Sequence, residues 1–416
     1  MRVAYYSPLP PERSGIADYS ALLLPALEEK LEINVVRHGA RRIDRRADLA
    51  VYHIGNDPQA HGWIVEALKR RPGVVVLHDF VLHHLVAGMS FGAGNVNLYL
   101  DAMQRDAGVA GRLLAHGVVD GLVPPLWETR AADFPLTREI LTYATGVIVH
   151  SRFVERRVRE YGYRRPVWVI PHPAWPRPQG REPRVSLVDG SPIIACAGNL
   201  TPSKRIPQLL EAFRRLTQQF PAARLLLIGP PSPRFELDRL LERAGLRIGE
   251  QVQAFGYSDE AILWDLLERS DVCVNLRYPT MGETSGAAIR ALVLGRPLVV
   301  SDVGWFSELP DGVAAKVPVD AWEIDMLTAV LARLASDGEL SAEMSRRALE
   351  YVEREHALER VAELYCAALE EGAGRSLVQD SVVAEVAEAV VDIGLAESDR
   401  ELREVAGALR EVGLGD

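Results

Sequence analysis

Short apolar runs recur along this chain, and each closes on polar residues before a helical segment begins. In the first half they fall at residues 2–6, 33–36, 49–53, 74–77, 145–149 and 167–170. The pattern restarts at 193–197, 225–228, 252–255, 271–276, 298–300 and 314–317. Apolar runs of this length, alternating with helical periods, predict parallel strands covered by helices. The expected fold class is therefore α/β. At 416 residues the chain exceeds one compact domain, so two are expected. The Trp-Pro-Arg-Pro-Gln-Gly-Arg-Glu-Pro stretch at 175–183 breaks all periodicity and is the best linker in the chain.

In open α/β sheets, ligands collect outside the carboxyl ends of the strands. The most informative such end lies within 271–300. An apolar run leads into a turn with Pro279 and Gly282, and Ser285 and Gly286 then open a small-residue helix. Gly295 and Pro297 end that helix, and a second strand follows. A helix start offers free N–H groups and a positive dipole end, so its natural guest is a phosphate. Thr284, Ser285 and Gly286 are the expected phosphate or sugar contacts, and Glu283 can accept sugar hydroxyls. The loop after 193–197 carries Lys204, whose flexible ammonium suits a diphosphate; the plainer reading is a solvated lysine at a helix start. The chain has only Lys30, Lys69, Lys204 and Lys316, which makes a lysine in that loop more suggestive.

The first half has its own strand-end residues. His78, followed by Asp79, can reach a sugar hydroxyl, whereas His53 reads equally well as structural. His83 and His84 belong to the next helix as packing or surface residues, and the histidine spacing matches no standard metal site. The loop at 7–15 lacks Gly-x-Gly-x-x-Gly, so a dinucleotide fingerprint is absent. Either Ser14 caps the helix and Gly15 permits the turn, or Gly15 lets backbone amides approach a phosphate; the loop alone favours the first.

Composition narrows the function classes. A net charge of -10 argues against a general nucleic-acid binder. Cys196, Cys273 and Cys366 are scattered with no disulfide or zinc spacing, which suits a reducing cytoplasm. The N-terminal Met-Arg-Val-Ala-Tyr-Tyr enters a strand at once, so no leader is expected, and no apolar run reaches spanning length. Peripheral membrane contact stays open. Helical residues are expected over about 339–371, and the tail at 376–412 is amphipathic. The tail can pack on the body, mediate self-association or lie on a membrane, the last being least suited to its acidic character. Oligomeric state is open.

An ordered set of motifs resembles the retaining glycosyltransferases of family 4. Pro-Pro-Glu-Arg-Ser-Gly-Ile-Ala-Asp-Tyr at 10–19 is similar to their N-terminal glycine loop, and Val-Leu-His-Asp at 76–79 to the strand end with the active-site histidine. Ala-Gly-Asn-Leu-Thr-Pro-Ser-Lys at 197–204 resembles the loop that grips the donor diphosphate. Phe-Gly-Tyr-Ser-Asp-Glu at 255–260, with Gly256 and Tyr257, resembles the segment lining the nucleobase, and 282–297 the Glu-x7-Glu region.

The resemblance covers most of residues 1–371. It implies a GT-B fold of two facing Rossmann-like domains with a cleft, and a returning helix at about 355–371. Residues 1–175 would take the acceptor, 185–350 the nucleotide sugar, and 372–416 would be a helical tail. It further implies transfer with retention, without metal or cofactor. His78 would bind the transferring sugar, Glu283 would orient its hydroxyls, and Gly15, Lys204, Thr284, Ser285 and Gly286 would hold the donor. Two positions depart from the pattern. Asn199 stands where the family often has arginine, and the second motif glutamate falls on Arg290, the first on Gly282 with Glu283 next to it. A guanidinium cannot accept hydrogen bonds from a ribose, so Arg290 is expected to bind phosphate, pair with Glu283, or sit on the helix surface. The alternatives to an active transferase, building a polysaccharide, glycolipid or other glycoconjugate, are a degenerate member that binds a nucleotide or scaffolds a partner, and a sugar-nucleotide epimerase.

Overall fold

The computed structural model describes residues 1–39, 46–178, 183–233, 235–392 and 400–411. They form two compact units, Met1–Ile170 with Ala362–Asp416, and Pro171–Val361. These are called unit 1 and unit 2.

Unit 1 is built on six parallel strands: β1 (Arg2–Tyr6), β2 (Glu32–Val36), β3 (Leu49–Ile54), β4 (Gly73–Leu77), β5 (Ala144–Val149) and β6 (Val167–Val169). Their order across the sheet is β2-β1-β3-β4-β5-β6. The helices are α1 (Gly15–Glu28), α2 (Pro58–Arg70), α3 (His83–Gly92), α4 (Val96–Val119), α5 (Leu126–Thr129), α6 (Arg138–Tyr143) and α7 (Arg152–Glu160). Burial on both faces explains the unbroken apolar runs: Val74, Val75 and Val76 of β4 are all fully buried. Ser14, Asp57 and Ser151 start α1, α2 and α7 by accepting first-turn N–H bonds.

Unit 2 repeats the plan with β7 (Ile193–Ala197), β8 (Arg224–Ile228), β9 (Val252–Ala254), β10 (Val272–Asn275), β11 (Leu298–Ser301) and β12 (Ala314–Val317). They lie parallel in the order β12-β11-β10-β7-β8-β9. Its helices are α8 (Ile206–Gln219), α9 (Leu237–Ala244), α10 (Glu260–Glu268), α11 (Gly286–Val293), α12 (Glu323–Ser336) and α13 (Gly338–Glu355). A core centred on Leu209, Phe213, Leu225, Leu227 and Leu331 holds the helices on the sheet. Strand order reverses between β7 and β10. The loops leaving both strands lie at their carboxyl ends, where α/β sheets bind ligands.

The expected strands are all present, each end within about one residue of the expectation. The C-terminal segment differs from the expectation. Residues read as a helix ending near 371 and a separate tail are crossed by one helix, α14 (Leu358–Asp392), followed by α15 (Arg400–Glu411). A Cβ at Gly372 would press on Val74 Cγ2 at 3.2 Å, so this glycine lets the helix lie close to the sheet. Side chains at 375–381, including Val378 of the tail's apolar face, lie outside the described residues.

Candidate active site

In unit 2 the loops after β7 and β10 meet at the reversal point. Tyr278 N donates to Ser203 O at 2.7 Å and ties one loop to the other. Gly198, at φ +105°, is a glycine for a local reason: a Cβ would collide with the Lys204 ammonium. Lys204 ends a short 3-10 turn, Pro202–Lys204, and is only 5% exposed. Its Nζ donates to Ala197 O. Lys204 is therefore not a solvated helix-start residue. Burial, and then the charge of Arg277, bring its pKa from 10.5 down to about 8. Arg205, in the left-handed region at φ 55°, turns the chain into α8 and pairs with the buried Glu323.

Arg277 was not singled out in the sequence, although it lies two residues past the end of β10. Its Nε stands 2.7 Å from Glu283 Oε1 as an ion pair without hydrogen-bond alignment. Glu283 Oε2 accepts from Met281 N at 2.7 Å and Thr280 Oγ1 at 3.1 Å. The carboxylate is thus held in place by its own loop through Oε2, and Oε1 keeps lone-pair capacity for a further donor. Ser285 caps α11, its Oγ accepting from Ala288 N at 3.3 Å and from Asn275 Nδ2 at 3.0 Å. The cap serves only the third N–H of the helix, so those of Gly286 and Ala287 point out of the helix start. Thr284 Oγ1 and Asn275 Oδ1 are buried without a hydrogen-bond partner. Orphaned polar atoms beside a helix start and two cations mark a place for a polar ligand.

Arg290 corrects two expectations. It is 6% exposed, so it is no surface arginine. It pairs with Glu260 at 3.3 Å rather than with Glu283. Its Cζ stacks 3.5 Å from the Trp175 ring centre, and Nη1 reaches Gly286 O at 3.4 Å. Trp175, read only as linker, is therefore part of the wall beside α11 and lies 3.2 Å from where a Gly286 Cβ would be. A tryptophan amid prolines was the available signal. Asn199 is exposed at the end of β7, Gly256 has φ +57°, and Tyr257 is 58% exposed.

In unit 1, Ser14 Oγ caps α1 as expected, accepting from Ile16 N at 3.2 Å. Gly15 has no positive φ, so the turn does not require glycine, and the space around its Cβ position is open. His53 and His78 come together, with Nδ1 and Nε2 2.9 Å apart. His150 and Tyr19 ring them at centroid distances of 5.1 and 4.8 Å from His78. Tyr365 of α14 touches the Tyr19 hydroxyl at 2.5 Å. His83 is buried on Tyr99, and His84 accepts from Asn56. Among the described residues no group of three His, Cys, Asp or Glu side chains is arranged to hold a metal, and no helix is long and apolar enough to cross a membrane.

A family model for glycosyl transferases group 1 matches residues 180–351. Unit 2 carries a glycosyltransferase group 1 domain. An alpha-D-kanosaminyltransferase from Streptomyces kanamyceticus is 24% identical over 162 residues, which is 39% of this chain and 41% of that protein. The chain thus aligns with well under half of the curated relative. Three solved structures share the fold. A sucrose-phosphate synthase from Thermosynechococcus elongatus has a TM-score of 0.61 at 18% identity, covering 89% of this chain and 98% of its own. HepE from Anabaena, in complex with UDP and glucose, has 0.59 at 14%, covering 89% and 100%. WaaG, a glycosyltransferase involved in lipopolysaccharide biosynthesis, has 0.54 at 13%, covering 87% and 99%. The two parallel-sheet α/β units and the C-terminal helices that accompany the group 1 domain are those of the GT-B fold.

Proposed function

We propose that this chain is a glycosyltransferase that takes a sugar from a nucleoside-diphosphate sugar and passes it to a hydroxyl acceptor with retention of anomeric configuration. The carrying observation is the convergence of Lys204, Arg277 and the open start of α11 beside the unpartnered Thr284 hydroxyl. Two cations and two N–H groups at a helix start supply what a departing diphosphate needs, and they do so without a metal. Gly256 and Tyr257 line the nucleobase in this reading, Asn199 adds a neutral polar contact, and Glu283 accepts from the sugar hydroxyls. Arg290 holds the wall of the site through Trp175 and Glu260 rather than binding phosphate. Within unit 1, His78 is the candidate for a sugar contact and the open backbone at Gly15 the candidate for a phosphate.

In the transfer step the bond from the sugar anomeric carbon to the diphosphate oxygen breaks, and a bond to the acceptor oxygen forms on the same face. The acceptor proton passes to the leaving phosphate oxygen, so no separate base is required. The likeness of the fold to proteins solved with UDP supports a uridine donor as the first to test.

The experiment is calorimetry with UDP-, dTDP-, GDP- and ADP-sugars in the presence of a chelator, followed by NMR of the product anomer. We expect binding of one donor in the micromolar range and an anomer matching the donor. Binding that depends on added divalent metal, an inverted product, or nucleotide release with no sugar transferred to any acceptor would each overturn the proposal.

A further inference from the structure

β3 and β4 place two imidazoles side by side in the core of unit 1. His53 is fully buried, and His78 is 9% exposed. One proton is shared between His53 Nδ1 and His78 Nε2, 2.9 Å apart. Which ring donates is decided by the far side of His53. Its Nε2 is buried and has no hydrogen-bond partner. If His78 donated, neutral His53 would carry its proton on that Nε2, leaving a buried N–H with no acceptor. If His53 donates, the same Nε2 is a bare lone pair. Orphaned buried N–H groups are the rarer of the two in folded proteins.

The protein supplies an internal comparison. His356 Nδ1 lies 2.6 Å from His172 O, and a carbonyl can only accept, so His356 is protonated at Nδ1. Its Nε2 is also buried and unpartnered, and there it must be the lone pair. His61 donates from Nδ1 to His53 O at 3.0 Å in the same way. Desolvation, reinforced by His150 and His61, holds the His53 pKa far below its ordinary value, so the ring stays neutral and the tautomer question is well posed.

We propose that His53 is a positioning residue that sets the tautomer of His78: His53 Nδ1–H donates to His78 Nε2, and His78 carries its own proton on Nδ1. The consequence for the proposed transfer, on which this step rests, is that the His78 lone pair is spent inside the fold. His78 then meets substrate oxygen as a hydrogen-bond donor and not as a base. The edge of Tyr19, held by Tyr365, packs against the same ring and limits its rotation.

Long-range proton–nitrogen spectra of the full chain labelled with 15N at histidine read each tautomer directly. The wild type is expected to show His78 protonated at Nδ1. His53→Asn sets an amide donor near the lost Nδ1 and is expected to keep that state. His53→Leu removes the donor and is expected to shift His78 towards Nε2 protonation. Wild-type His78 protonated at Nε2, or a His78 tautomer unchanged in His53→Leu, overturns the proposal. If His53→Leu does not fold, the wild type and His53→Asn decide it alone. In transfer assays, kcat should fall on the order of tenfold in His53→Leu with KM little changed, the cost of one misplaced hydrogen bond, and recover in His53→Asn. An unaltered kcat in a variant whose tautomer has shifted overturns the positioning role. A wild type that transfers no sugar fails the transferase reading, while the spectra still decide the tautomer.

Discussion

Burying the Lys204 ammonium brings its pKa from 10.5 to about 8, so between those values the unfolded chain holds a proton that the folded chain has released. Stability then rises with pH across that window, and below about 8 the folded state bears the whole cost of a buried charge. The loop tolerates that cost because an ammonium aimed at a diphosphate is worth more to binding than to folding. Lys204→Met should therefore stabilise the protein by about 1–3 kcal/mol at pH 7 and weaken nucleotide-sugar binding at least tenfold. Thermal unfolding and calorimetry on the same sample test both halves. A variant that is less stable, or that binds donor unchanged, refutes the assignment. Arg277 contributes to the depressed pKa, and it shows what residue-type reading overlooks: an arginine just past a strand end carries no motif, only a location.

At the scale of elements, α11 is the piece on which the site depends. It has eight residues and begins at a serine whose hydroxyl accepts from both Ala288 N and Asn275 Nδ2. An isolated helix of that length has no stability of its own, so the cap and the packing of Ile289, Ala291 and Leu292 keep it formed. Ser285→Ala should lower the unfolding free energy by about 1 kcal/mol, and Ser285→Thr should restore most of it. Urea denaturation measures the difference, and equal midpoints for all three proteins would show that the cap is idle. Ser285, Gly286 and the strands flanking them were legible in the sequence because each depends on neighbours a few positions away. Apolar runs mark buried parallel strands, and a serine before small residues marks a helix start. The partners of Arg290 were not legible. Trp175 and Glu260 reach it from two distant segments, and no local period encodes that meeting. The same holds for His53 with His78 and for Tyr19 with Tyr365, whose pairing exists only once β3, β4, α1 and α14 are in place. Gly372, inside α14, lies where a Cβ would press on Val74, and that contact too exists only in the folded chain.

For the molecule as a whole, ionisable groups are unevenly divided between the units, and acid should expose this. His53, His61 and His83 are buried in unit 1 with depressed pKa values, about 4 for His61 and His83, chiefly through desolvation. In the unfolded chain each titrates near 6.5. Above that pH their contribution to stability is complete; as pH falls from about 6.5 towards 4 the unfolded state takes up protons that the folded state refuses, and stability is lost. Asp106 works against this trend, since burial raises its pKa and makes the folded state the better proton binder at lower pH. His84 is lowered by burial too, and four histidines outweigh one carboxyl in the range from 6.5 to 5. In unit 2 the His356 pKa is depressed as well, again chiefly through burial. Scanning calorimetry from pH 7.5 to 5 should therefore show the unit 1 transition moving down further than that of unit 2. The two are told apart by adding donor nucleotide, which raises the transition of the unit that binds it. His61→Asn keeps a donor for His53 O but cannot ionise, so it should flatten the slope of unit 1 and leave unit 2 unchanged. Parallel slopes in the wild type would mean that the buried histidines ionise without unfolding their unit. Their neutrality, which the tautomer assignment for His78 requires, would then fail together with this prediction.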